Sequence, residues 1–220
     1  MNSELKKRIF TSIILLLLLT AMYSYTFVMI VSLIVIAMIT WVEFYALISK
    51  IMPTSSIKDK ILRVLYKGTS LLYLSLLVFF IFSIESSHTN FKVYLLYSIL
   101  TAILSDIGGL VFGKIFKGRK LTKISPNKTI SGSIGSFIFS LFLIPFFNGQ
   151  LINYDLFILI IITLVISLTS QLGDLFISYL KRKAKVKDTS DILPGHGGFL
   201  DRIDGIIFTI PVGILLFNYF

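Results

Sequence analysis

Two aspartates, Asp201 and Asp204, stand three residues apart between a glycine-rich segment and the last apolar stretch of the chain. If a helix begins at this point, both carboxylates lie in its first turn and on one face. Carboxylates placed in this way attract a hard divalent cation such as Mg²⁺, which takes a few carboxylates together with substrate phosphates. The alternative is that the acids complement the dipole at a helix start. That alternative explains either aspartate alone, but not the acid, arginine, histidine and glycines that accompany them.

The glycine-rich segment before these aspartates is suited to contact a ligand. Its turn-forming residues allow tight turns and a close approach of the backbone: Pro194, Gly195, Gly197 and Gly198. His196 alone is equally well explained as a turn residue. Because its neighbours are rich in oxygen, we expect His196 to donate to a phosphate rather than to bind a metal.

A polar stripe closes the sixth apolar stretch. At about 100° per residue, four side chains fall within an arc of about 80° on one helix face: Gln171, Asp174, Ser178 and Lys181. An acid, a hydroxyl and a base therefore lie on one face of an otherwise apolar helix. The alternative is a polar seam between helices, in which Asp174 pairs with a neighbouring lysine or arginine.

The basic segment 114–128 ends in a pattern typical of a helix start. Ser125 and Pro126 predict the beginning of the fifth helix, with serine as its N-cap and proline at its first position. A helix N-terminus offers unpaired N–H groups, and Asn127 and Lys128 add donors, so a phosphate can bind there. A capped helix beside loop charges is the simpler alternative.

An acidic residue, Asp106, lies within the fourth apolar stretch beside Gly108, Gly109 and Gly113. Ionisable residues at membrane depth usually face the protein interior or water and are functional, so Asp106 is predicted as a further polar site. The glycines indicate close helix packing. Glu43 and Lys67 lie near the predicted cytoplasmic ends of their spans and can extend to the surface, so they are left out of the site.

The elements that must position these residues are membrane helices. Of the 220 residues, 55% are hydrophobic and 15% charged, and the mean hydropathy is +0.90, which excludes a sizeable soluble domain. The absence of cysteine excludes disulfides and thiolate metal sites. We predict an all-α polytopic protein forming one integral membrane domain over 1–220, with N-terminal spans in 1–100 and the catalytic part in 101–220. The seven spans are expected at about 9–23, 25–48, 61–84, 91–116, 129–148, 155–180 and 203–219.

The basic residues indicate how these spans are oriented. With seven spans, the Lys- and Arg-containing segments at 6–8, 50–60, 114–128 and 181–187 all fall on one side. By the positive-inside rule that side is the cytoplasm, so the N-terminus is predicted to be cytoplasmic. The net charge of +10 is therefore attributed to topology rather than to a nucleic-acid partner. Twelve of the 21 Lys and Arg residues lie in 114–128 and 181–202, so function is expected there.

Several of these segments resemble the phosphatidate cytidylyltransferase family. The signature-like run consists of Ser178-Tyr-Leu-Lys-Arg, Lys187-Asp188 and Leu193-Pro-Gly-His-Gly-Gly-Phe-Leu-Asp-Arg-Ile-Asp204. Further blocks are similar in the same order: Asp106-Ile-Gly-Gly, Gly113-Lys, Ser125-Pro-Asn-Lys-Thr and Gln171-Leu-Gly-Asp174. The resemblance covers roughly residues 100–205. The chain departs from it at Ile130 and Ser131, where the family usually has Trp-Glu, and at Ile177, where it usually has Glu, so two acidic positions are lost.

The resemblance implies transfer of CMP from CTP to phosphatidate, giving CDP-diacylglycerol and pyrophosphate in phospholipid biosynthesis. It implies Mg²⁺ held by Asp174, Asp201 and Asp204, with a second cation as an option. The expected catalytic residues are Asp174, Lys181, Arg182, Asp201 and Asp204. The expected nucleotide- and phosphate-binding residues are Ser125, Asn127, Lys128, Ser178, Lys187, His196, Gly197, Gly198 and Arg202, with Asp106 and Asp188 as other polar positions. The expected location is the cell (inner) membrane, with the active site on the cytoplasmic side among membrane lipids, and a homodimer is suggested.

Other functions stay open at this point. A related CTP-dependent transferase acting on another lipid phosphate has the same nucleotide signature and differs only in its acceptor. A transporter for an anionic lipid predicts functional charges near mid-membrane and internal symmetry, neither of which is seen. A non-catalytic anionic-lipid-binding protein predicts basic residues without an acidic cluster.

Overall fold

The computed structural model describes residues 3–52, 56–85, 90–122, 124–194 and 197–220. Its helices are α1 (Ser3–Ser24), α2 (Thr26–Ile51), α3 (Ile57–Glu85), α4 (Phe91–Phe116), α5 (Ile130–Leu141), α6 (Ile144–Phe147), α7 (Leu156–Lys183), α8 (Leu200–Ile203) and α9 (Ile206–Tyr219). Over the described ranges the extended pairing is limited to two isolated bridges, Lys120 with Thr129 and Leu193 with Gly197. The predicted all-α fold class is confirmed.

Among the described residues, five helical stretches are long and apolar enough to cross a membrane: α2, α3 over Ile57–Ser83, α4, the α5–α6 stretch Ile130–Phe147, and α7. They coincide with five of the seven predicted spans. The first predicted span lies in α1, whose apolar part is Ile9–Ser24. The last lies in α9, whose 14 residues reach only about 21 Å at 1.5 Å per residue, against about 30 Å of hydrocarbon. The count of seven, and the side on which each loop lies, stay predictions.

The fifth helix begins later than the sequence indicates, so the prediction of Ser125 as N-cap and Pro126 as first helical residue is wrong. The N-cap is Thr129, whose hydroxyl accepts a hydrogen bond from the Gly132 N–H. The preceding segment folds back on itself, because Leu121 N–H donates to Lys128 and Ile130 N–H donates to Arg119. These bonds flank the bridge between Lys120 and Thr129, and the cap residue Thr129 is itself extended.

A proline accounts for the division between α5 and α6. Pro145 stands in the first turn of α6 and has no N–H to donate to a carbonyl four residues earlier. At the end of α5 the hydrogen bonds therefore join residues three apart instead of four. Phe142 N–H donates to the carbonyl of Phe139, and Leu143 N–H donates to that of Ser140.

The described contacts group the chain into two compact units. Unit 1 contains Met1–Ser87 and Leu180–Ile203, and within it α2 packs against α1, α3 and α8. Unit 2 contains His88–Tyr179 and Asp204–Phe220, and within it α4 packs against α5 and α9. The core of unit 2 consists of Tyr97, Leu143, Ile144, Leu151, Leu159, Ile162, Ile166 and Phe217. The prediction of one integral membrane domain stays a prediction.

Glycines let α4 and α5 pack in close contact. A Cβ added at Gly108 would lie 2.6 Å from Cβ of Phe139, and one at Gly132 would lie 2.8 Å from the carbonyl oxygen of Gly109. A Cβ added at Gly135 would overlap Phe112. Side chains at these positions would force the helices apart, so the interpretation of the α4 glycines as packing residues is confirmed.

The start of the last helix also differs from the prediction. Asp201 lies in the short helix α8, whereas Asp204 lies in the turn before α9. The two aspartates therefore do not share the first turn of the last helix, as the sequence suggested. The chain turns because Gly205 packs against Ser170 of α7, where any Cβ would overlap the serine hydroxyl. A continuous helix from residue 200 is thereby interrupted.

Candidate active site

The carboxylate of Asp201 in unit 1 is surrounded by hydrogen-bond donors. Lys181 at the end of α7 donates to its Oδ1 at 2.5 Å. The backbone N–H and the hydroxyl of Thr189 lie 2.8 and 3.0 Å from Oδ2, and the N–H of Gly198 donates to the same oxygen at 3.2 Å. The Asp201 side chain is only 5% exposed. The predicted acid and the predicted base thus form one ion pair inside a cage of donors.

The surroundings of Asp201 keep it ionised. Burial alone would raise the pKa of its carboxyl, but the hydrogen bonds from Lys181 and Thr189 and the charge of Lys181 outweigh burial. The resulting pKa of Asp201 lies below its ordinary value. The side chain is therefore a carboxylate throughout the neutral range and anchors the lysine ammonium.

Glycines make this cage possible. Gly197 has a φ of +80°, a left-handed conformation that L side chains rarely adopt, and its carbonyl accepts the N–H of Leu193 at 2.9 Å. A Cβ added at Gly198 would overlap the Thr189 hydroxyl and lie 2.9 Å from the backbone nitrogen of Ser190. The sequence predicts a close approach of these glycines to a ligand, whereas the structure shows Gly198 close to Thr189 and Ser190, at the other end of the segment 189–201.

A buried acid that sequence reasoning left out of the site, Glu43 of α2, contacts the same segment. Its side chain is 2% exposed. It accepts hydrogen bonds from the N–H groups of Phe199 at 2.9 Å and Leu200 at 2.6 Å, and from the hydroxyls of Thr189 at 3.0 Å and Ser190 at 2.5 Å. A signal was present in the sequence, since an acid inside a 26-residue apolar helix must find donors if it is buried.

Lys67 of α3 is likewise buried, at 8% exposure, rather than extended to the membrane surface. Its Nζ donates to the Ser49 hydroxyl at 2.6 Å and lies 3.1 Å from the centre of the Tyr45 ring. The interpretation that Glu43 and Lys67 reach the surface from helix ends is therefore wrong. Each finds its polar partners within unit 1.

In unit 2, Asp174 of α7 forms an ion pair with Lys128, and each side chain is 25% exposed. Ser178 donates to Oδ1 of Asp174 at 3.2 Å from the next turn of the helix. This is the lysine pairing that the polar-seam alternative predicts for Asp174. It also brings together three residues of the predicted site, one from the basic segment and two from the polar stripe.

Gln171 of α7 lies one turn before Asp174 and contacts the start of α5. The Ser133 hydroxyl donates to its Oε1 at 2.5 Å. Its Nε2 is buried and has no hydrogen-bond partner within the described part of the chain, and the same holds for the Ser170 hydroxyl. A buried amide donor without a partner costs free energy. The described contacts of unit 2 satisfy the Oε1 of Gln171 but not its Nε2.

Asp204 is 7% exposed and accepts the N–H of Gly205 on Oδ1 at 2.9 Å. Its backbone packs against α7, where a Cβ added at Gly173 would lie 2.8 Å from the Asp204 carbonyl oxygen. The turn before α9 is thus held beside Gly173, the residue that precedes Asp174.

The other predicted residues fall into groups by exposure. The exposed ones are Asp106 and Asn127 in unit 2 and Arg182, Lys187, Asp188 and Arg202 in unit 1. Ser125 is half-buried in unit 2. His196 lies outside the described residues, and so does Gly195. Ile177, the position where the resemblance implies an acid, is 1% exposed.

The fit of these residues to Mg²⁺ is partial. Nowhere in the described ranges do three or more His, Cys, Asp or Glu side chains form a group that could hold a metal ion. The two oxygens of Asp201 already face four donor groups, about as many as a carboxylate can accept from. Ligation by Asp174, Asp201 and Asp204 stays a prediction.

Comparison with known proteins adds family information to this geometry. The sequence model described as "Cytidylyltransferase family" matches residues 1–220. Proteins named phosphatidate cytidylyltransferase from Staphylococcus haemolyticus (strain JCSC1435) and Staphylococcus aureus (strain COL) are 43% and 45% identical over 122 residues. These alignments cover 54% of this chain and 46% of each relative. The chain therefore spans about half the length of the curated relatives it matches.

Proposed function

The chain belongs to the cytidylyltransferase family, and we propose that it is an enzyme that transfers CMP from CTP to phosphatidate. In this reaction a phosphate oxygen of phosphatidate attacks the α-phosphorus of CTP, and the bond from that phosphorus to the β-phosphate's bridging oxygen breaks. The products are CDP-diacylglycerol and pyrophosphate. One observation carries the proposal: the family match extends over the whole chain and includes both lysine–aspartate pairs.

The chemistry of the substrates explains why fixed cations are the main requirement. A phosphate monoester carries about −1.5 to −2 charges at pH 7, so the attacking oxygen needs no strong general base. The difficulty is to hold two anions together and to stabilise the charge that moves to pyrophosphate. Catalysis of this kind depends on positioning and electrostatic stabilisation.

Lys181 and Lys128 are the residues we assign to this task. Asp201 pairs with Lys181, and Asp174 pairs with Lys128. Because an ammonium has three N–H donors, each lysine can also donate to a phosphate oxygen. The exposed Arg182, Lys187 and Arg202 add positive charge within unit 1. Ser125, Asn127 and Lys128 are assigned to a second anion site in unit 2.

Mg²⁺ bound by Asp174, Asp201 and Asp204 is part of the proposal, with a second cation as an option. When bound, the metal would supply charge stabilisation at the transferred phosphate groups. Support comes from the resemblance and from the packing of the Asp204 turn beside Gly173, the residue that precedes Asp174. The lysine now paired with Asp201 would have to share that carboxylate.

We also propose that the reaction takes place on the cytoplasmic side of the cell membrane. The basic segments at helix ends support that side, because CTP is dissolved in the cytoplasm while the acyl chains of phosphatidate stay in lipid. A homodimer is proposed from the resemblance alone.

The test is formation of CDP-diacylglycerol by the purified, detergent-solubilised protein from CTP and phosphatidate, with Mg²⁺ and with EDTA. We expect Mg²⁺-dependent product that disappears in Asp204→Ala. Product in the presence of EDTA, or near-normal turnover of Asp204→Ala, would contradict the metal assignment. CTP binding without product from phosphatidate would instead favour another lipid phosphate as acceptor, which a series of lipid phosphates would identify.

A further inference from the structure

Inside unit 1, four donor groups of the segment 189–201 lie within hydrogen-bond distance of the Glu43 carboxylate. The donors come from both ends of that segment, Thr189 and Ser190 on one side and Phe199 and Leu200 on the other. Because the carboxylate is 2% exposed, water cannot replace these donors without opening the unit. One side chain of α2 therefore ties together the two ends of the segment that carries Asp201.

The hydroxyl of Thr189 extends this connection to the ion pair. It lies 3.0 Å from Oε2 of Glu43 and 3.0 Å from Oδ2 of Asp201. A hydroxyl has one proton, so it donates to one carboxylate at a time, while the Thr189 N–H holds Asp201 at 2.8 Å. The contacts run without interruption from Glu43 through Thr189 and Asp201 to Lys181.

We infer that Glu43 is a positioning residue for the transfer reaction: it fixes Thr189 and the start of α8, and thereby sets the position of Asp201 and of the Lys181 ammonium. The inference rests on the proposed function for its role in turnover. Gly198 supports it, because a Cβ there would lie 3.0 Å from Oε2 of Glu43. The absence of a Cβ at Gly198 thus leaves room for the Glu43 carboxylate beside this backbone.

Displacement of the Lys181 ammonium should lower the rate of the transfer reaction. Shifts of about 1 Å in groups that bind a reacting phosphate lower rates by about 100-fold. A residue that only stabilised the fold would instead lower the melting temperature and leave the kinetics of the folded fraction unchanged. Kinetic parameters measured on folded protein therefore separate the two roles.

The first comparison uses Glu43→Gln, which keeps the size of the side chain but replaces one acceptor oxygen with an amide donor. The matched control is Thr40→Val on the same helix, because Thr40 is also 2% exposed but donates only to the carbonyl of Ile36. We expect kcat/KM for CTP to fall about 10- to 100-fold in Glu43→Gln and to stay within about twofold of wild type in Thr40→Val. Equal values in the two variants would overturn the inference.

The second comparison leaves Glu43 in place and keeps its bonds to Phe199 and Leu200. Thr189→Val removes the hydroxyl between the two carboxylates, and Thr189→Ser restores it. We expect Thr189→Val to lose activity and Thr189→Ser to recover most of it. In the Glu43→Gln, Thr189→Val double variant the two losses should be far from additive, because both act on one chain of contacts. Additive losses would show that Glu43 acts independently of Thr189.

A readout that does not depend on turnover separates this inference from the proposed function. Amide hydrogen exchange at Phe199 and Leu200 should be faster in Glu43→Gln than in wild type and unchanged in Thr40→Val. Unchanged exchange in Glu43→Gln would overturn the inference even if the enzyme is active. Faster exchange in a protein that binds CTP but makes no product from phosphatidate would count against the proposed acceptor and leave the positioning role standing.

Discussion

Lys181 and Asp201 form an ion pair across 20 residues of sequence, with Nζ 2.5 Å from Oδ1 and side chains that are 12% and 5% exposed. The ammonium is therefore held in place by the protein before an anion arrives. The bond to Oδ1 uses one of its three donors. A fixed cation of this kind suits a phosphate that gains or redistributes charge during a reaction.

Lys181→Met should lower kcat/KM for CTP by about 100-fold, because the fixed donor is lost while the side-chain length is retained. The control is Lys183→Met, which removes the same charge from an exposed position two residues away. The measurement is steady-state formation of CDP-diacylglycerol at saturating phosphatidate. Equal losses in the two variants would indicate that only the overall positive charge matters.

The stability contributed by Asp201 should depend on pH. Its carboxyl has a lower pKa in the folded protein than in the unfolded chain, so the folded state is favoured above the ordinary pKa of about 3.9. That contribution is lost as the pH falls through the lower, folded value. We expect the melting temperature of wild type to exceed that of Asp201→Asn at pH 7 and the difference to shrink below about pH 4. A difference that stays constant from pH 7 to pH 3 would contradict this assignment.

The Lys128–Asp174 pair permits a separate test of the metal proposal. If Asp174 binds Mg²⁺, Asp174→Asn should raise the Mg²⁺ concentration needed for half-maximal activity, whereas Lys128→Gln should raise KM for the substrates and leave the metal requirement unchanged. If Asp174 only holds Lys128, the two variants should behave alike. Activity measured against Mg²⁺ concentration, together with Mn²⁺ binding followed by electron paramagnetic resonance, distinguishes these outcomes.

Features set by neighbouring residues could be predicted from the sequence. Apolar stretches of span length are recognisable without tertiary information, and five of them are helices of the expected kind. The glycines of α4 also indicate close helix packing from their local sequence, because a glycine-rich face on an apolar helix lets a neighbouring backbone approach. The polar stripe on α7 likewise predicts, as one of two alternatives, the pairing of Asp174 with a lysine.

Features set by distant residues could not be predicted. The four donors to Glu43 come from 146 to 157 residues further along the chain, so its local sequence indicates that a buried acid needs donors but not where they lie. The start of α5 depends on the bond from Ile130 N–H to Arg119 and not on the Ser125-Pro126 pattern. The break between Asp201 and Asp204 depends on how Gly205 packs against Ser170.

The contact between α4 and α5 predicts a specific loss of stability in unit 2. A Cβ at Gly135 would lie 2.7 Å from the Gly108 carbonyl oxygen and overlap Phe112, so Gly135→Ala must move a helix, at a cost of about 1–3 kcal/mol. Gly68→Ala on α3 is the matched control, because nothing lies within 4 Å of its added Cβ. Alanine is the better helix former by about 1 kcal/mol, so the control should melt at or above the wild-type temperature. Thermal unfolding in detergent measures both variants, and a Gly135→Ala protein as stable as the control would show that the helices do not pack through this glycine.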